Sequence, residues 1–146
     1  LVKVVTLNGI LMDYWSILEK KRQQFVKAIF ELCNPPDEFE LYNAKFNTND
    51  ILQNAGKTEY LLQCIINTSN PSSNPLYFTT LLKKISKGEL QELINTFKPL
   101  RKIRNKYKSF EDTSKGTESD LNEFRNKIGS VISMFLNFEA RIRKKQ

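Results

Sequence analysis

Residues 120–144 read DLNEFRNKIGSVISMFLNFEARIRK and carry apolar side chains at Leu121, Phe124, Ile128, Val131, Ile132, Phe135, Phe138 and Ile142. Steps of three and four follow the 3.6-residue period of an α-helix, so one face of this segment is apolar and the other polar. A single amphipathic helix cannot bury its own stripe, and the rest of the chain must supply helices to cover it. Working toward the N-terminus, Ser86-Lys87-Gly88-Glu89 has the Ser-x-x-Glu spacing of a capping box, in which hydroxyl and carboxylate satisfy each other's exposed amides. It opens a helix to about residue 108 with Leu90, Leu93, Phe97, Leu100, Ile103 and Tyr107 inward, and Pro99 within it predicts a kink or a break.

Further back, a short helix spans residues 79–86, and residues 50–66 form another, capped by Thr48 or Asn49, with Ile51, Leu52, Ala55, Leu62, Ile65 and Ile66 on one side. Asn8 caps a first helix carrying Ile10, Leu11, Tyr14, Ile17, Leu18, Phe25, Ile29, Leu32 and Cys33, which Asn34-Pro35-Pro36 ends. Residues 1–7, LVKVVTL, read as a short extended arm; residues 37–47 read as loop with at most a helical turn. Residues 67–75, NTSNPSSNP, form a flexible surface loop and residues 109–119, SFEDTSKGTES, another. The expectation is an all-α protein: one domain over residues 1–146, a compact bundle of four to five helices with a short extended N-terminal arm.

Composition removes most chemistry. There is no His among the 146 residues, so Ser-His-Asp and Cys-His catalysis have no general base. Cys33 and Cys64 sit at apolar helix positions as buried thiols and cannot complete a zinc site or a disulfide framework. Gly56-Lys57-Thr58 lacks the earlier glycine of a phosphate-binding loop, Ile51 standing in its place. Paired acids such as Glu38 with Glu40, or Glu111 with Asp112, lie in loops without metal-ligand spacing. The reading is a non-enzyme without metal or cofactor. No apolar run reaches the ~18 residues of a membrane helix, and no leader pattern opens the chain, which fits a cytoplasmic protein. Its first residue is Leu rather than Met, as in a trimmed fragment or an internally started product.

Charge is the informative feature. The net charge is +7, yet residues 1–97 hold ten basic and ten acidic side chains while residues 98–146 hold thirteen basic and six acidic. Within KPLRKIRNKYK, residues 98–108, six cations occur without an acid. On a helix Lys98, Arg101, Lys102, Asn105 and Lys108 share a sector of about 120°, with Leu100, Ile103 and Tyr107 opposite. A second basic run ends the chain at Arg141, Arg143, Lys144 and Lys145, where cations also complement the helix dipole. Adjacent helices could bring Arg125 and Lys127, or the tail, beside the 98–108 face. Arg104 falls on the apolar half of its helix, where a salt bridge to Glu118 or Asp120 is one explanation and a functional arginine at a helix interface is the other. Clustered cations of this kind fit the phosphate backbone of a nucleic acid. The expected contacts are Lys98, Arg101, Lys102, Lys108, Arg125, Lys127, Arg141, Arg143 and Lys144.

Two resemblances meet in the C-terminal part. A small, basic, helical chain ending in Phe135-Leu136-Asn137-Phe138-Glu139-Ala140 resembles the small subunits of CRISPR interference complexes. That likeness implies a non-catalytic subunit of an antiviral-defence ribonucleoprotein. It would hold RNA or single-stranded DNA by its backbone, beside other protein subunits and further copies of itself. Arg104-Asn105-Lys106-Tyr107-Lys108-Ser109 is similar to the Arg-polar-x-x-x-His motif of HEPN domains, with Ser109 where His belongs. This likeness implies an inactive RNA-binding or scaffold relative, with Arg104 and Asn105 as remnants of the motif. A helical protein–protein adaptor that turns the basic face toward an acidic partner is the alternative reading.

Overall fold

The structure is a computed structural model that describes residues 2–67, 76–106 and 118–145. It is all-α apart from one small hairpin. The elements are α1 (Val2–Cys33), β1 (Glu38–Leu41), β2 (Ala44–Asn47), α2 (Thr48–Gln53), α3 (Ala55–Asn67), a 3₁₀ turn (Leu76–Phe78), α4 (Thr79–Lys84), α5 (Lys87–Lys106) and α6 (Glu118–Arg143).

α1 begins at Val2, so of the extended arm expected at residues 1–7 the described part, residues 2–7, is instead helix, and Asn8 lies inside it rather than at a cap. A lone strand finds no partner there. Continuing an existing helix instead adds a hydrogen bond for each residue fixed. At the other end Asn34 adopts φ 49° and its amide bonds the Phe30 carbonyl at 2.8 Å, a left-handed closure before two prolines.

Residues 37–47, read as loop from sequence, hold the antiparallel hairpin. Phe39 faces Phe46 and Leu41 faces Ala44 across it. Tyr42 and Asn43 both have positive φ, 53° and 62°, as the tight two-residue turn demands. Phe39, Leu41 and Phe46 are buried, and the Tyr42 hydroxyl donates to the Asn67 carbonyl, tying the hairpin to the end of α3. The following helix is capped by Asn47, whose Oδ1 accepts from the amides of Asn49 (2.9 Å) and Asp50 (3.2 Å), not by Thr48 or Asn49. It is also two helices. Asn54 leaves the helical region at φ −136°, and its Oδ1 accepts from the Lys57 amide at 3.0 Å, so it closes α2 and caps α3.

The Ser86 capping box forms as expected. The Ser86 amide donates to Glu89 Oε1 at 3.0 Å, and the Glu89 amide donates to Ser86 Oγ at 3.1 Å. α5 then runs unbroken through Pro99. Leu90, Leu93, Ile94 and Phe97 before the proline and Leu100 and Ile103 after it are all buried. Both halves are thus held on one core despite the missing N–H.

Aromatic contacts show how the long helices lie. Tyr14 stacks near Phe124 (6.3 Å between centroids), Phe25 meets Phe135 (5.4 Å) and Phe138 (6.1 Å), and Glu31 bonds Arg143. Partner numbers rise together, so α1 and α6 run in the same direction. α5 runs against α6, because Phe97 meets Phe135 (5.8 Å), Glu89 meets Arg141 and Lys106 meets Asp120. Trp15 stacks on Phe97 at 5.9 Å and closes the junction of α1, α5 and α6. Of the inward residues read from α6, Ile128 and Ile132 are half-buried and the others are buried. No helix among the described residues is long and apolar enough to cross a membrane.

Candidate nucleic-acid interface

The apolar positions of α5 point its opposite face to solvent, where Lys98 and Lys102 stand one turn apart, both exposed. Neither enters an ion pair among the described residues, and residues four apart on a helix are surface neighbours. Their neighbours differ. Arg101 turns toward α3, where Nε and Nη2 donate to Glu59 at 2.8 and 3.2 Å. That carboxylate strengthens the proton hold of the guanidinium further. Lys106 bonds Asp120 at 3.3 Å and joins the end of α5 to the start of α6. Arg104 pairs with neither Glu118 nor Asp120. It lines a cleft between α1 and the start of α3 without an ion pair among the described residues. Lys108 lies outside the described residues, as does Ser109.

On α6, Lys127 pairs with Glu123 at 3.0 Å on the surface, and it lies on the side from which Arg141 reaches α5. Arg125 turns the other way, its Nε donating to the Tyr14 hydroxyl at 3.3 Å. Lys127 therefore belongs with the α5 cations and Arg125 with α1.

The tail is elsewhere. Because α5 and α6 are antiparallel, the end of α5 lies at the start of α6, and residues 141–145 lie at the far end of the bundle. From Arg125 to Lys144 is roughly 28 Å of helix. The two basic clusters thus occupy opposite ends rather than one track. The tail arginines are also engaged. Arg141 makes a two-pronged contact with Glu89 (2.6 and 2.8 Å), donates to the Lys84 carbonyl at 2.9 Å, and sits 5.5 Å from the centroid of Phe138. With Arg141 and the Ser86 amide and hydroxyl around it, the Glu89 carboxyl is held down at about 2. Arg143 bonds Glu31 at 2.6 Å and Glu139 at 2.9 Å. Lys144 remains exposed, and its carbonyl accepts from Lys84 Nζ at 2.9 Å.

Sequence reading missed the most buried cation. Arg22 is 0% exposed. Its guanidinium donates to the carbonyls of Ile51 (3.0 Å) and Leu52 (2.9 Å) and to Thr58 Oγ1 (2.7 Å), and pairs with Glu19. The signal was present: Leu11, Trp15, Leu18, Phe25 and Ile29 are spaced as a core stripe, and position 22 falls in its one gap. Thr58, the last residue of the Gly-Lys-Thr segment, serves this network and donates to the Ile51 carbonyl at 2.9 Å. Burial pushes the Cys33 thiol up to about 11, far from the reactive thiolate range. Among the described residues no cluster of acids and cysteines could hold a metal ion.

No protein-family model, curated protein or solved structure matches the chain. The ending that resembles CRISPR small subunits has a packing explanation, since Phe135 and Phe138 are buried against Phe25 and Glu139 pairs with Arg143.

Proposed function

We propose that this chain is a non-catalytic helical module that binds the backbone of RNA or single-stranded DNA through the C-terminal half of α5, as a subunit of a larger nucleoprotein. The observation that carries the reading is the exposed pair Lys98 and Lys102, without an ion pair among the described residues, whereas Lys106 and Lys127 are neutralised by Asp120 and Glu123. Phosphates take such lysines without geometric demand and without reading sequence. The site is accordingly narrower than the sequence suggested. Arg141 and Arg143 serve the fold, and Lys144 and Arg125 lie off this face. Membership of a CRISPR-type complex rests on the resemblance of residues 135–140 alone.

Binding of a fluorescent oligouridine and the matching oligodeoxythymidine across a salt series tests the reading. Affinity should fall with salt, and K98A/K102A should reduce the log–log slope by about 1.4, near 0.7 for each lysine that no longer neutralises a phosphate of a single strand. K144A/K145A should leave it unchanged. Salt-indifferent affinity, or a K98E/K102E variant that binds like the parent, overturns it. A protein–protein adaptor is the second reading, favoured by the outer face of α6, where exposed Asn126, Gly129, Ser133, Leu136, Asn137 and Ala140 carry no charge. A native preparation free of nucleic acid and carrying a stoichiometric acidic protein would select it.

A further inference from the structure

The cleft beside α5 has a volume of about 260 Å³ and opens to solvent between Trp15 and Glu19 of α1, Gly56 at the start of α3, and Arg101, Arg104 and Asn105. Its charges do not cancel. Arg22 neutralises Glu19 and Arg101 neutralises Glu59, which leaves Arg104, one helical turn after Arg101, with no carboxylate among the described residues. Of the charged residues that line the cleft, Glu19 and Arg101 are each paired with a residue behind it, Arg22 and Glu59, so the charge of Arg104 remains. Like charges three residues apart on a helix repel, and Arg104 is half-buried on the inward side of α5, where water relieves that repulsion less than at the surface.

The donor geometry is as particular as the charge. Arg101 meets Glu59 through Nε and Nη2. Its Nη1 is not spent on that carboxylate and lies 4.0 Å from where a Cβ on Gly56 would stand. Asn54 Oδ1, 3.2 Å from the same point, also lines the cleft and already accepts from the Lys57 amide at 3.0 Å. Asn105, exposed in the last turn of α5, adds an amide at the rim. We infer that this cleft seats one phosphodiester group of a bound strand, with Arg104 and the Nη1 of Arg101 as its donors. A single negative charge matches the surplus, and planar guanidinium donors suit its oxygens. The inference rests on the backbone-binding reading and adds to it a fixed anchor: the lysines of α5 attract the strand, and the cleft sets one phosphate in place.

Binding of oligouridine to the full chain decides both. R104A should lower affinity about tenfold, as expected for a charge-assisted contact, and R104K should restore only part of it, because an ammonium lacks the planar fork. N105D, which puts a carboxylate at the rim, should weaken binding while every arginine is kept. Melting temperatures should not fall below the parent's, since Arg104 makes no hydrogen bond among the described residues and its charge repels Arg101. If K98A/K102A weakens binding while R104A and N105D bind like the parent, the cleft assignment is overturned and the interface reading stands. If the parent does not bind oligouridine at all, the interface reading falls. Titration with inorganic phosphate, followed by the NMR resonances of the arginine side chains, then decides the cleft: saturable shifts at Arg104 and Arg101 support it, and their absence overturns it.

Discussion

Replacing Arg22 by Met should be among the most damaging single changes in this chain. Methionine keeps most of the length of the stem, so little cavity is created and the loss is chiefly polar. The substitution removes the donors to Ile51 O, Leu52 O and Thr58 Oγ1 and strips Glu19 of its partner. Removing one member of a buried pair costs about 3–5 kcal/mol. Here the lower end applies, because the Glu19 side chain is 22% exposed and can rehydrate. Ile51 O also keeps two other donors, Thr58 Oγ1 at 2.9 Å and the Asn54 amide at 3.4 Å. About 3 kcal/mol is a large part of the ~5–15 kcal/mol that holds a domain. In urea titrations followed by far-UV circular dichroism, the midpoint should drop by roughly 1.5 M for a slope near 2 kcal/mol/M. Adding Glu19→Gln should return part of the loss, since no unpaired carboxylate remains. A loss below about 1 kcal/mol for Arg22→Met would refute the reasoning. It would mean that apolar packing alone docks α2 and α3 on α1.

Two further changes probe the helix ends and the proline. Glu89 has a carboxyl held at about 2, below its ordinary 4.5, by Arg141 and Ser86; its contribution is complete above pH 4.5 and lost as pH falls toward 2. Glu89→Gln should therefore cost about 1 kcal/mol at neutral pH, a value kept small by the pair's solvent exposure. That difference should vanish near pH 2, and thermal melts of both proteins across this range would reveal a pH-independent gap if the argument is wrong. Pro99→Ala should stabilise α5 by about 1–3 kcal/mol by restoring a helix donor and relieving the ring's contact with the preceding turn. A lower melting temperature would show instead that α5 needs the shape its proline imposes.

Features on which several residues agree are legible in the sequence, and those that rest on one side chain or on very short strands are not. The α6 stripe, the Ser86 capping box and the Asn34-Pro35-Pro36 stop each rest on several residues that agree, and all three are present. The hairpin has four-residue strands and turns at Tyr42-Asn43 without a glycine, which leaves too few alternations for a strand to declare itself. Asn54 divided a helix that read as continuous because its side chain supplies a cap to the next one, and an asparagine within a periodic segment looks the same in either role. Arg22 does not declare itself in the sequence, because a cation in a core stripe reads as an interruption. Only the fold shows the carbonyls of Ile51 and Leu52 that satisfy it.

Charge departs furthest from its pattern along the sequence, and the reason is pairing across the fold. Glu31, Glu59 and Glu89 belong to the electrically neutral first 97 residues, yet they bond Arg143, Arg101 and Arg141 of the basic segment. A segregation of charge along the chain is therefore partly undone in space, and the two arginines of the basic tail are spent on contacts within the fold. The sorting follows the chemistry of the two cations in part, for Lys106 and Lys127 also pair, with Asp120 and Glu123. A guanidinium offers a fixed fork that carboxylates and carbonyls can hold, while an ammonium stays well hydrated at the surface. Of the six arginines, Arg22, Arg101, Arg141 and Arg143 are committed to glutamates, and Lys98 and Lys102 keep to solvent. Arg125 departs from the rule in an exposed position, where water solvates it. Arg104 departs from it half-buried in a cleft that already holds Arg101, where a guanidinium without a carboxylate partner is unfavourable unless an anion completes it.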